Sequence, residues 1–222
     1  GSFTRLSRRL TRFDVLAYDR RGYQGSRDLA PVDLDHHVAD LLALVDREAS
    51  RQPVILFGHS FGGVVTFKAA IESPAQISLV VNYESPLPWI LRRGAIHPIS
   101  SDDPAMEAER FFRRVVSDRA WERLGESQRE SRRLDGETLL NDLRTVRNET
   151  PPFDLSMLRV PTTYVHGDGY GVDYFRALSN ALVQLNPKIT TVEIEHAGHD
   201  AHLKNTAQLA AVIEERWDAT CA

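Results

Sequence analysis

The chain has 222 residues, 42% hydrophobic and 26% charged, with a formal net charge of −4, the profile of an ordinary globular protein with room for an α/β core. That charge gives no electrostatic reason to expect nucleic acid or an anionic membrane surface as a partner, and no apolar run approaches the roughly 18 residues that cross a bilayer. The single cysteine, Cys221, excludes an internal disulfide and is compatible with a reducing compartment, so a cytoplasmic location is expected.

Phe13-Asp14-Val15-Leu16-Ala17-Tyr18-Asp19 is a short β-branched and aromatic run ending in Arg20-Arg21-Gly22, which predicts a buried strand and a loop. Over 32–49 the apolar residues Val38, Leu41, Leu42 and Val45 recur at helical spacing, with Asp33 near the start, where a carboxylate is favourable. Pro53 opens a strand at 54–57, and Phe61–Ile71 predicts a helix stopped by Ser73-Pro74. Ile77–Tyr83 reads as a third strand. Residues 94–150 contain no convincing strand; amphipathic pieces at 105–116 and 137–146 predict an inserted helical layer or ordinary surface helices. Strands at 162–166 and 190–194 then alternate with helices at 173–185 and 203–217. Near-continuous apolar strands alternating with helices predict a mostly parallel sheet covered on both faces. The expected division is a core of 1–93 and 151–222 carrying the insertion 94–150.

Gly58-His59-Ser60-Phe61-Gly62 fits G-x-S-x-G and lies between a predicted strand and a predicted helix, the context this motif requires. The chain must reverse sharply there, and the glycines on either side of Ser60 remove Cβ atoms that would collide across the turn. Such a turn lifts Ser60 Oγ clear of the sheet. It also places the Phe61 N–H at a helix N-terminus, where developing negative charge is stabilised. A serine hydroxyl is a weak nucleophile that needs a base.

With these residues the sequence resembles the α/β-hydrolase superfamily over nearly its whole length. Beside the elbow, Val15–Ser26 ("VLAYDRRGYQGS") is similar to the family's strand and loop ahead of the elbow, with Asp19, Arg21, Gly22 and Ser26 in the usual places. His196–Leu203 ("HAGHDAHL") is similar to the histidine loop after the last strand. The resemblance implies the α/β-hydrolase fold with a small helical cap at 94–150, Ser60 as nucleophile and His199 as base, with His196 and His202 as local alternatives. It places the acid three residues after Gly167, on Tyr170, where tyrosine cannot serve at neutral pH. Three carboxylates substitute: Glu84 after the strand that follows the elbow helix, then Asp168, then Asp173. Some relatives carry the acid after the former strand, whose end would lie on the elbow's edge of the sheet.

The family's second oxyanion donor comes from a loop after an earlier strand, and no such strand precedes Phe3. The resemblance places that strand between the one ending at Asp19 and the one ending at Phe57. The expectation is that further N-terminal strands complete the sheet, the alternative being direct pairing of those two strands.

The resemblance implies a serine hydrolase acting on a small-molecule carboxylic ester, or less readily a thioester or amide, through an acyl-enzyme. A cofactor-independent lyase or perhydrolase-like relative is the alternative, and a ligand-binding protein the third reading. Phe111, Phe112, Val115, Val116, Trp121 and Leu124 are candidates to line the substrate pocket, with His59 on the elbow side. Arg92-Arg93 and Arg113-Arg114 are either a greeting for an acidic substrate or a solvated face. The spacing His196, His199, His202 lacks a nearby carboxylate or cysteine cluster of metal-ligand type, so no metal is expected, and no cofactor.

Overall fold

The computed structural model describes residues 3–91, 99–148, 150–169 and 171–222. The chain opens with α1 (Thr4–Ser7) and, after an extended stretch, α2 (Leu34–Ala49). Asp33 caps α2, its carboxylate accepting the His36 N–H at 3.0 Å, so one orphan donor of the first turn is satisfied. β1 (Val54–His59) and β2 (Ile77–Tyr83) follow, joined through α3 (Phe61–Glu72). Beyond β2 come α4 (Pro88–Leu91), α5 (Pro104–Val115), α6 (Asp118–Glu122), α7 (Glu126–Leu134) and α8 (Gly136–Val146). The chain then returns to β3 (Thr162–Gly167), α9 (Val172–Leu185) and β4 (Ile189–Ile194), and closes with α10 (Ala201–Lys204) and α11 (Thr206–Cys221).

The strands form one parallel sheet in the order β1-β2-β3-β4. Successive strand residues point to opposite faces. Val80 and Tyr164 therefore join a core with Val38, Val64, Phe67 and Leu178, whereas Leu79, Val81, Tyr83 and Val165 join a second core with Leu6, Leu209 and Ile213. Burial on both faces is what selects near-continuous apolar strands. The register pairs His59 with Tyr83, Tyr83 with Val165, and Gly167 with Ile194. The strands thus end nearly level, and Ser60, Glu84, Asp168 and the 195–199 loop emerge along one carboxyl edge, where open α/β sheets place their sites.

Residues 13–19 are not a strand. They run extended, with Val15, Leu16 and Tyr18 exposed to 44%, 51% and 37%. Among the described residues no backbone–backbone hydrogen bond involves 14–19. They do not pair with β1, which is paired with β2 alone and forms an edge of the sheet. Both 13–19 and 54–59 border the same large cavity. A strand is a ladder, not a local conformation, and β-propensity without a partner leaves only an extended segment.

The insertion is helical, as expected, and the amphipathic pieces at 105–116 and 137–146 are α5 and α8. α6 and α7 have no counterpart in the sequence reading. α7 buries no residue fully and is fastened by charge, with Arg133 reaching Glu109 at 3.0 Å and Glu126 at 3.1 Å. Arg92, Arg93, His97 and Tyr170 lie outside the described residues. The predicted closing helix is divided at Asn205 into α10 and α11. The loop after residue 19 is riveted to α8: Arg20 and the Tyr23 hydroxyl (2.7 Å) both reach the buried Asp142, Arg27 reaches Asp135, and Thr138 Oγ1 donates to Gly22 O. Among the described residues, no helix is long and apolar enough to cross a membrane.

Candidate active site

Ser60 sits between β1 and α3 with φ 53° and ψ −128°. A non-glycine residue reaches this region only when its surroundings impose it. Three contacts do so here: Ser60 N–H donates to Tyr83 O at 2.9 Å, Gly63 N–H returns to Ser60 O at 2.9 Å, and β1 and α3 cross closely behind. A Cβ on Gly58 would meet Gly63 Cα, Thr66 Oγ1 and Asn82 Oδ1, each at 2.5 Å. A Cβ on Gly63 would collide with Ser85. Gly62, by contrast, faces nothing within 4 Å. The packing glycines are therefore Gly58 and Gly63, and the expectation that Gly62 relieves a collision is corrected: it borders the open cavity. Gly63→Ala is expected to lower stability by about 1–3 kcal/mol in urea unfolding, and Gly62→Ala by less than about 0.5 kcal/mol.

Glu84 follows β2 and is 1% exposed, with φ 46°. Its N–H donates to Val165 O at 2.9 Å, its Oε1 accepts the Gly167 N–H at 3.0 Å, and its Oε2 meets His199 Nδ1 at 2.7 Å. With neutral His199, the proton lies on Nδ1, since a carboxylate only accepts, and Nε2 is left with a free lone pair.

Of the three carboxylates named from the sequence, only Glu84 touches His199. Asp168 is corrected: its carboxylate faces the backbone N–H groups of the histidine loop, that of His196 foremost, and they hold it below the usual carboxylate range. Asp168 thus braces the histidine loop from outside. Asp173 is exposed in the first turn of α9.

The loop carrying His199 is pinned by Tyr83 and Gly169, which the sequence does not single out, and by His59. The Tyr83 hydroxyl donates to Gly198 O at 2.8 Å, and Gly169 N–H to Ala197 O at 3.1 Å. His59 Nε2 lies 2.7 Å from His199 O. A carbonyl only accepts, so His59 carries its proton on Nε2. Its ring packs against His199 at 4.5 Å and His202 at 4.4 Å. Burial, with His199 beside both, holds His59 well below the ordinary histidine value and lowers His202 to about 4. Both are neutral at pH 7 and add no charge beside His199. His59, expected on the substrate side, borders the cavity but uses its nitrogen to position the histidine loop. A polar residue inside an elbow motif was the available signal; its partner, 140 residues on, was not.

Ser60, Phe61, Glu84 and His199 all border one cavity of about 1580 Å³, larger than an ordinary ligand pocket because it continues between 13–19 and β1. Phe111, Phe112, Val115, Val116 and Leu124 line it, as expected. Trp121 does not. It is buried inside the insertion, 5.5 Å from Phe112 and flanked by Arg113 and Arg133. A large aromatic at helical spacing is as well used for packing as for binding. Arg113 and Arg114 face no substrate either: Arg113 pairs with Glu109, Asp118 and Glu122, and Arg114 with Glu107. Phe61 occupies the first position of α3, so its N–H has no intrahelical acceptor and is available to an oxyanion. The arrangement is therefore a strained hydroxyl, an imidazole held in one tautomer by a buried carboxylate, and a helix N-terminus, all opening on one cavity. It is equipped for acyl transfer.

A family model described as "Alpha/beta hydrolase family" matches residues 1–212. A stretch of 77 residues is 36% identical to "Lipase LipV" of Mycobacterium tuberculosis (strain ATCC 25618 / H37Rv), covering 35% of this chain and 29% of that protein's length. Among solved structures, a bromoperoxidase from Bacillus anthracis superposes with a TM-score of 0.73 at 18% identity, over 98% of this chain and 87% of its own. A thermophilic esterase from Thermogutta terrifontis gives 0.64 at 17% identity, over 91% and 78%.

Proposed function

This chain belongs to the alpha/beta hydrolase family, and within it we propose that it is a serine esterase cleaving a carboxylic ester of a small, partly apolar substrate. The observation that carries this reading is the 2.7 Å contact of His199 Nδ1 with the buried Glu84 carboxylate, on the same cavity as a Ser60 held in a strained turn. In the proposed reaction, Ser60 Oγ attacks the ester carbonyl carbon while His199 Nε2 takes the hydroxyl proton. Glu84 stabilises the resulting imidazolium without becoming protonated. The carbonyl oxygen gains the displaced electron pair and receives the Phe61 N–H. Collapse of this intermediate breaks the bond to the alkoxy oxygen, which leaves with the proton from His199. Water then attacks the acyl-Ser60 ester, with His199 again as base, and releases the acid. The apolar residues of α5 and α8 act as a cap over the acyl or alcohol group.

Labelling with a fluorophosphonate probe, followed by mass spectrometry of the labelled peptide, tests this. Such probes react with a serine activated by a base. The expected result is rapid, stoichiometric modification of Ser60. A folded protein that takes no label, or takes it on another residue, overturns the reading.

A further inference from the structure

Most arginines along the cavity wall are matched. Arg12 pairs with Asp218 and Arg20 with Asp142, and Arg132 lies over the Phe112 ring at 4.4 Å, where a cation is favoured. Arg147, directly after α8, is different. It borders the cavity, its Nε, Nη1 and Nη2 are all buried, and none has a hydrogen-bond partner. The acid nearest in effect, Glu107, is fully buried and already neutralised: it takes Arg114 at 2.6 Å, Ser100 N–H at 2.9 Å and Ser100 Oγ at 2.8 Å. Arg114 in turn repels Arg147. An unpaired buried cation is costly, and a guanidinium stays charged near neutral pH. Among the described residues Glu107 is the acid that favours its charge, and no group hydrogen-bonds the guanidinium, so the fold does not recover that cost in full.

We infer that Arg147 is an anion anchor of the cavity, and that the ester cleaved at Ser60 carries a carboxylate remote from the scissile bond. The inference rests on the esterase reading for its chemistry but on Arg147 alone for its charge. The planar guanidinium fork matches a carboxylate in two parallel hydrogen bonds. A cation beside the apolar residues that α5 and α8 give to this wall, Phe111, Val115, Leu143 and Val146 among them, suits a monoanion attached to a hydrocarbon spacer. That describes a half-ester of a dicarboxylic acid if the charge lies on the acyl side, or an ester of a hydroxy acid if it lies on the alcohol side.

Two matched pairs of esters distinguish these sources: para-nitrophenyl hydrogen glutarate against its methyl ester, and para-carboxyphenyl butyrate against its methyl ester. The expected result is a preference of about 10–100-fold in kcat/KM for the charged member of one pair, the range of a charge-assisted hydrogen bond. Arg147→Met abolishes the preference, Arg147→Lys retains part of it, and Arg144→Met, on the exposed face of α8, leaves it in place. Thermal unfolding confirms that each variant is folded. A second measurement does not need turnover: calorimetric binding of glutarate to the Ser60→Ala protein, expected to be lost on adding Arg147→Met. Absence of any charge preference, or a preference indifferent to Arg147→Met, overturns the assignment. Rapid labelling of Ser60 without charge preference sinks this inference and leaves the esterase reading standing. Glutarate binding that depends on Arg147 in a protein whose Ser60 takes no label does the reverse.

Discussion

Ser60→Ala is expected to lower turnover of an activated ester by about 10⁴–10⁶-fold, the scale on which removal of a nucleophilic serine acts. Folding should be little affected. The Ser60 side chain does not cap α3, and alanine meets the same backbone strain at φ 53° as serine. The expected change in unfolding free energy is below about 0.5 kcal/mol. Activity and stability are therefore separable at this position, and equilibrium unfolding beside steady-state kinetics measures both. A drop of less than about tenfold would mean that the hydroxyl is not the attacking group, since no other side chain could supply the missing bond at similar cost.

Glu84→Gln is expected to lower kcat by about 10³–10⁴-fold with little change in fold. The amide has the size of the carboxylate, and its oxygen can keep the Gly167 N–H that Glu84 Oε1 now accepts at 3.0 Å. Its NH₂ group then faces His199 Nδ1, where the carboxylate accepts at 2.7 Å. A donor there forces the His199 proton onto Nε2. The lone pair that should take the Ser60 proton is gone, and the imidazolium loses its counter-charge. The rate loss should ease as pH rises, because hydroxide can remove the hydroxyl proton directly. A pH–rate profile of the variant reads this. Asp173→Asn, exposed on α9, is expected to leave the rate within about twofold. If Glu84→Gln cost no more than Asp173→Asn, Glu84 would be only a structural link to β3, through its bonds to Val165 and Gly167.

Much of the fold was legible in the sequence because its signals are local. The β2 run Ile77–Tyr83 is mostly apolar, and α3 starts directly after the elbow serine, with Gly62 and Gly63 in its first turn. The site was half legible. Ser60 announces itself through G-x-S-x-G, and His199 through its loop after the last strand. Glu84 was one of three carboxylates, and the sequence does not measure how far each lies from His199. Parallel register brings the end of β2 level with the ends of β1 and β3, so Glu84 is carried to the imidazole while Asp168, closer in the chain, is turned to brace the loop from outside. Residues 13–19 show the opposite case: the local signal for a strand is present, and the ladder partner is not.

By itself, then, the sequence determined the alternation of strands and helices, the nucleophile turn and the apolar character of the insertion. These follow from propensities and periods carried by neighbouring residues. Only the tertiary structure decided which carboxylate meets His199, that His59 and Tyr83 hold the histidine loop, that Trp121 packs inside the insertion, and that the buried Arg147 guanidinium has no hydrogen-bond partner among the described residues. Each of these is a matter of contact between residues far apart in the chain, and electrostatic and hydrogen-bond energies depend on distances and burial that no local pattern encodes.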